Sequence, residues 1–130
     1  MSSLNEDPLL KVLNLGKYYG EIAGCRDISL SVWPGEVLGI VGESGSGKTV
    51  TARSIMRLVP MPPGELVKGA VKYEGRDVYS MSDAEMRELR GTNIAMVFQE
   101  PMSALNPVFS VGAQITDALR TNLGMDAKSA

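Results

Sequence analysis

Apolar positions fall into short runs and alternations along this chain, not into one long stripe. Val37-Leu38-Gly39-Ile40-Val41 and Ile94-Ala95-Met96-Val97-Phe98 are continuous apolar runs, the pattern of strands buried on both faces. Alternation at Ile28, Leu30 and Val32 predicts a strand over Asp27 to Trp33, and Leu9 to Leu15 and Lys68 to Tyr73 read as two more. Gly16-Lys17-Tyr18-Tyr19-Gly20, between the first two, reads as a turn carrying adjacent aromatics. Val50 to Leu58 has helical composition without Gly or Pro, and Pro60-Met61-Pro62-Pro63-Gly64 ends that helix. Ser82-Asp83-Ala84-Glu85 spells a capping box that opens a short helix to Arg90, stopped by Gly91. Its charges Asp83, Glu85, Arg87, Glu88 and Arg90 form a solvated face. Ser110 to Leu123 reads as an amphipathic helix with Val111, Ile115, Ala118 and Leu119 on one face and Gly124 as its stop, and beyond it the chain looks loose. Pro34-Gly35 and Glu74-Gly75-Arg76-Asp77 are turn signals. Strands alternating with helices give an α/β class, with an antiparallel pair ahead of the run Val37 to Val41.

Composition narrows the field without pointing at a chemistry. A length of 130 residues suits one compact domain and is too short to expect two. A net charge of −2 provides no basic field of the kind nucleic-acid binding requires. With one cysteine and no histidine, the chain has neither an internal disulfide nor a zinc-type ligand set, and Cys25 reads as a small buried hydrophobe. The scattered methionines read as gap-fillers of a core. No apolar run is long enough to span a bilayer, and Met1-Ser2-Ser3-Leu4-Asn5-Glu6-Asp7 lacks the charge and apolar core of a signal peptide, so a cytoplasmic location is expected.

The chemistry is concentrated in Gly42-Glu43-Ser44-Gly45-Ser46-Gly47-Lys48-Thr49, which fits the phosphate-loop pattern G-x-x-x-x-G-K-[ST] between an apolar run and a helical segment. Glycines let successive amide N–H groups turn inward into an anion nest. Lys48 adds a point charge suited to β and γ phosphates, and Thr49 is placed to ligate a Mg²⁺ ion bridging them. The helix that follows points its positive end at the same place. The competing reading is a Gly/Ser-rich surface turn that binds nothing. In an extended segment Tyr18 and Tyr19 face opposite ways, so only one can point toward a nucleotide, and spacing alone does not choose between them. Gln99 ends the second apolar run, where α/β sheets place ligand contacts, although capping the strand would explain it as well.

Three segments together, Lys17-Tyr18-Tyr19-Gly20, Trp33-Pro34-Gly35-Glu36 through Thr49, and Phe98-Gln99-Glu100-Pro101, resemble the ATP-binding subunit of ABC transporters. Gln99-Glu100-Pro101-Met102-Ser103-Ala104-Leu105-Asn106-Pro107 is similar to the bacterial importers for peptides, glutathione and nickel. The resemblance covers nearly the whole chain. It implies the N-terminal part of a P-loop NTPase fold of ABC type: an antiparallel β subdomain plus the start of a parallel core sheet with helices. It also implies ATP and Mg²⁺ as cofactors. Tyr19, just before Gly20, would stack on adenine; the amides from Gly42 to Val50 would wrap the phosphates; Lys48 would neutralise them; Thr49 and Gln99 would meet the metal. Residues around Met102 to Phe109 would form a surface for a membrane-spanning permease. The other implied partners are a second ATP-binding subunit and, indirectly, a solute-binding protein, at the cytoplasmic face of the inner membrane, with no nucleic acid.

To Ala130 the sequence holds no Leu-Ser-Gly-Gly-Gln signature, no apolar strand ending in Asp-Glu and no histidine. The expectation is therefore an N-terminal portion of a nucleotide-binding domain, phosphate loop at 42–49 and Q-loop around 99, that binds ATP with little or no turnover on its own, because stabilisation of the transferring phosphoryl group is incomplete. The alternatives are a non-catalytic nucleotide-binding or regulatory module, an ABC-like subunit of carbon–phosphorus lyase, and a small-molecule kinase. The Gln99 to Pro107 stretch disfavours the lyase, and the strands ahead of the loop disfavour the kinase.

Overall fold

Register slips in the first hairpin decide which side chains reach the core. In the computed structural model, which describes residues 7–58, 67–100 and 104–130, β1 (Leu10–Tyr19) pairs antiparallel with β2 (Ile22–Val32) across a tight turn at Gly20-Glu21. Val12 pairs with Leu30 but Leu15 pairs with Ile28, so β1 carries one extra residue there, at Asn14 with φ 49°. The Ser29 hydroxyl holds that bulge by accepting from the Asn14 amide at 2.9 Å. Further on Lys17 pairs with Cys25, so the extra residue is on β2, at Asp27 with φ 49°. Bulges of this kind re-aim a whole strand, because a shift of one residue moves every side chain to the other face. As a result Val12, Leu15 and Lys17 all become buried, although strict alternation would separate Val12 from the other two.

β3 (Val67–Tyr73) adds to the other edge of β1, and β4 (Arg76–Asp77) to β3, giving one antiparallel sheet in the order β2-β1-β3-β4. α1 (Lys48–Ile55) supplies the buried residues Thr51, Ser54 and Ile55. Together with Val12, Leu15, Cys25, Met56, Val71, Val78 and Met81 they make the core of a first unit, Met1–Met81. Each fully buried aliphatic side chain there contributes about 1.5–3 kcal/mol. Two polar ties close the unit: the Tyr79 hydroxyl donates to the Ser54 carbonyl at 2.6 Å, and Arg57 donates to the carbonyls of Val78 and Met81 at 3.2 and 2.8 Å.

The second unit, Ser82–Ala130, holds α2 (Asp83–Thr92) and α3 (Val111–Leu123). The capping box forms as the sequence predicts, Ser82 accepting from the Glu85 amide and Glu85 from the Ser82 amide. Ser110 caps α3, and Gly124 ends it in a left-handed conformation.

The structure corrects several expectations. Residues 16–19 are strand, and the turn is only Gly20-Glu21, because the register shifts bend the β1–β2 ladder without ending it before Tyr19. Only Glu74-Gly75 turns, leaving Arg76–Asp77 to pair with β3. α1 ends at Ile55, and Met56 and Arg57 follow as a turn. Gly91 does not stop α2: it lies inside the helix, where its missing Cβ gives room to Asn122 of α3, whose Oδ1 a Cβ would meet at 2.6 Å. The predicted apolar face of α3 is not buried, with Val111 and Ile115 more than half exposed. Neither apolar run forms a strand: Val37 is 96 % exposed, Val41 93 % and Val97 89 %. Parallel strands need neighbours on both edges and cover on both faces, and among the described residues every strand pairing is antiparallel. The Pro60 to Gly64 terminator, the N-terminal stretch to Glu6, and Pro101-Met102-Ser103 lie outside the described residues.

Candidate phosphate-binding site

The turn Trp33-Pro34-Gly35-Glu36 leads out of β2, closed by the Glu36 amide on the Trp33 carbonyl at 3.1 Å and by the Trp33 amide on the Glu36 carboxylate at 2.8 Å. The chain then runs without regular structure to a second tight turn, where the Ser46 amide donates to the Glu43 carbonyl at 3.1 Å and Gly45 has φ 81°. Gly47 follows with φ 96°, and α1 begins at Lys48. No side chain caps this helix. Its first-turn amides, at Lys48, Thr49 and Val50, are thus the donors that a helix start leaves for an anion.

Lys48 is folded back over the loop. Its ammonium donates to the Gly42 carbonyl, to the Glu43 carbonyl at 2.9 Å and to the Ser46 hydroxyl at 3.2 Å. One cation therefore gathers the two ends of the loop and is held at its centre. The cradle is narrow: a Cβ on Gly42 would stand 2.6 Å from the Ser46 oxygen and 3.7 Å from the Lys48 nitrogen. Amide N–H groups, an ammonium and the exposed hydroxyl of Thr49 form a donor set whose chemistry fits a polyphosphate with a hard cation. Glu43 and Ser44 are exposed on the outside of the turn.

The loop rests on the hairpin. A Cβ on Gly47 would come 2.7 Å from the Gly24 carbonyl oxygen and 3.4 Å from the Cys25 Cβ, and Gly24 in turn lies under both the Tyr19 ring and the Val50 side chain. Tyr19 thus shares the face on which α1 begins. Tyr18 points to the opposite face, with its ring over Gly16 and the Lys68 ammonium 5.1 Å from its centroid. In the first unit the structure brings together Tyr19, Gly42 to Lys48 and Val50, while Thr49 opens to solvent at the start of α1.

Gln99 belongs to the second unit, in an exposed bend and not at the end of a strand. The segment after it is organised from α3. The Gln114 side chain accepts from the Asn106 amide at 2.9 Å and donates to the carbonyls of Asn106 and Phe109, both at 3.0 Å. Sequence reading missed Gln114. The only signal for it was a polar residue on the apolar side of a helix. Leu105, Val108 and Phe109 stand exposed on the loop that it braces.

Comparison with known proteins gives this geometry a context. The family model described as ABC transporter matches residues 25–129. The chain is 49 % identical over 102 residues to the oligopeptide transport ATP-binding protein OppD of Bacillus subtilis, covering 78 % of this chain and 28 % of that protein. It is 42 % identical over 132 residues to a putative peptide import ATP-binding protein of Brucella abortus, covering 98 % of this chain and 40 % of that one. Against the dipeptide transport ATP-binding protein DppD of Bacillus subtilis it is 42 % identical over 113 residues, 87 % of this chain and 34 % of the relative. The chain thus spans 28 to 40 % of the length of these relatives.

Proposed function

Since the chain belongs to the ABC transporter family, we propose that its loop 42–49 binds Mg-ATP as part of an ATPase subunit that powers import of peptide-like solutes. The observation that carries this reading is the convergence of the Lys48 ammonium and the uncapped start of α1 on one narrow cradle. In it the amides from Gly42 to Val50, with Glu43, Ser44, Gly45, Ser46 and Gly47 between them, wrap the β and γ phosphates. Lys48 offsets the phosphate charge, and Thr49 supplies a hydroxyl to Mg²⁺. A Mg²⁺ ion held there would supply charge neutralisation for the phosphates. Tyr19 stacks on the adenine from the α1 side of the hairpin. Gln99, by the family resemblance, would be the side chain that serves the metal and the attacking water in the whole protein.

Peptide-like cargo is supported by the names of the relatives, and a permease partner by the exposed apolar loop Leu105 to Phe109. The subunit works at the cytoplasmic face of the inner membrane beside a second ATP-binding subunit. Among the described residues no helix is long and apolar enough to cross a membrane.

Titration with Mg-ATP followed through Trp33 fluorescence tests the reading. A saturable change that inorganic tripolyphosphate competes away supports it. A signal that never saturates, or one indifferent to tripolyphosphate, overturns it.

A further inference from the structure

Lys17 is the largest fully buried side chain described, at 0 % exposure, and among the described residues its ammonium has no hydrogen-bond partner. Buried ammonium groups almost always find an anion or an acceptor, since desolvating the charge is costly. The group facing this one is the ring of Tyr19, whose centroid lies 5.5 Å from Nζ. The same ring sits with its edge over Gly24, where a Cβ would stand 2.8 Å from Cε2 and 3.0 Å from the Val50 side chain. Tyr19 is nevertheless 41 % exposed, so part of the ring stays open to solvent.

We propose that Lys17 is a positioning residue for nucleotide binding: its buried ammonium holds the Tyr19 ring in place over Gly24 and leaves the open part of that ring to receive a purine base. The inference rests on the proposed stacking of Tyr19 on adenine. The cation draws electron density toward itself, fixing the ring by attraction to its π face. A ring held this way needs no reordering when the base arrives, so less freedom is lost on binding. Gly24 completes the seat because any side chain there would displace the ring or Val50. Lys17 itself touches no phosphate in this account, which separates its role from that of Lys48.

The test compares two probes, ATP and inorganic tripolyphosphate, which share the phosphates but not the base. Lys17→Met keeps the length of the side chain and removes the charge. It should weaken ATP roughly fivefold and leave tripolyphosphate unchanged. Lys17→Gln, a second neutral variant should the first fail to fold, should do the same, and Lys17→Arg should retain wild-type selectivity. In a Tyr19→Ala background Lys17→Met should cost ATP nothing further. Equal weakening of both probes, or no weakening of ATP, overturns the proposal while leaving Tyr19 stacking intact. If Tyr19→Ala leaves the ratio of the two affinities unchanged, the stacking reading falls and this inference falls with it.

Discussion

Gly47 and Gly24 meet where the phosphate loop crosses the first hairpin: a Cβ on Gly47 would stand 2.7 Å from the Gly24 carbonyl oxygen. With φ 96° at Gly47 as well, two independent constraints exclude a side chain. Gly47→Ala should therefore cost about 1–3 kcal/mol of stability and weaken ATP more than tenfold, by lifting the start of α1 off β2. Urea unfolding read together with ATP titration checks both. An unchanged affinity would mean that the seat on the hairpin does not shape the loop.

Tyr79 ties the far end of α1 to the strap after β4. Burial pushes its phenol up to about 12, against an opposing pull from Arg57. The unfolded chain loses this proton near pH 10 and the folded chain only near pH 12, so the stability from this group is complete below pH 10 and drains away between pH 10 and 12. Wild type should lose stability across that window more steeply than Tyr79→Phe, which has no proton to lose there. Denaturant midpoints at successive pH values read the difference. Parallel curves for the two proteins would contradict it.

Gln114 makes three of its bonds to the loop Asn106–Phe109. A net value of about 1 kcal/mol per bond makes the Asn106 amide, which donates to its side chain at 2.9 Å, a direct reporter. In Gln114→Ala that amide should exchange with solvent at least fivefold faster, while α2 amides keep their rates. Unchanged exchange at Asn106 would show that the loop holds itself.

Legibility of the sequence varied with the range of the interaction that decides each feature. The capping box at Ser82 and Glu85 and the Gly124 stop are both set by neighbours a few residues away, and the structure shows each where the sequence placed it. The choice between Tyr18 and Tyr19 depends on register shifts at Asn14, at Asp27 and between Lys17 and Tyr18, which leave no strong trace in the alternation. The family resemblance selected Tyr19, and the structure places that residue on the α1 side. Gly91 read as a stop because a helix-breaking residue is visible locally, while the Asn122 side chain that needs the space is not.

The apolar runs Val37 to Val41 and Ile94 to Phe98 read as buried strands from composition, but burial is a property of neighbours, and here Val37, Val41 and Val97 are open to water. Surfaces of this kind associate. The chain should self-associate with rising concentration and bind a hydrophobic dye, and Val41→Lys should lower both with a stability change within about 0.5 kcal/mol. Sedimentation at several concentrations decides this. A strictly monomeric, dye-silent chain would show that these runs are covered.

If the cradle closed by Lys48 binds the phosphates of ATP, calorimetric titration of Mg-ATP should separate wild type from Lys48→Ala. One-to-one binding to the wild-type chain is expected, with a loss of at least tenfold in Lys48→Ala and an unfolding midpoint little changed, because among the described residues Lys48 bonds to its own loop. Equal affinities for the two proteins, or no heat of binding in the wild type, would contradict it.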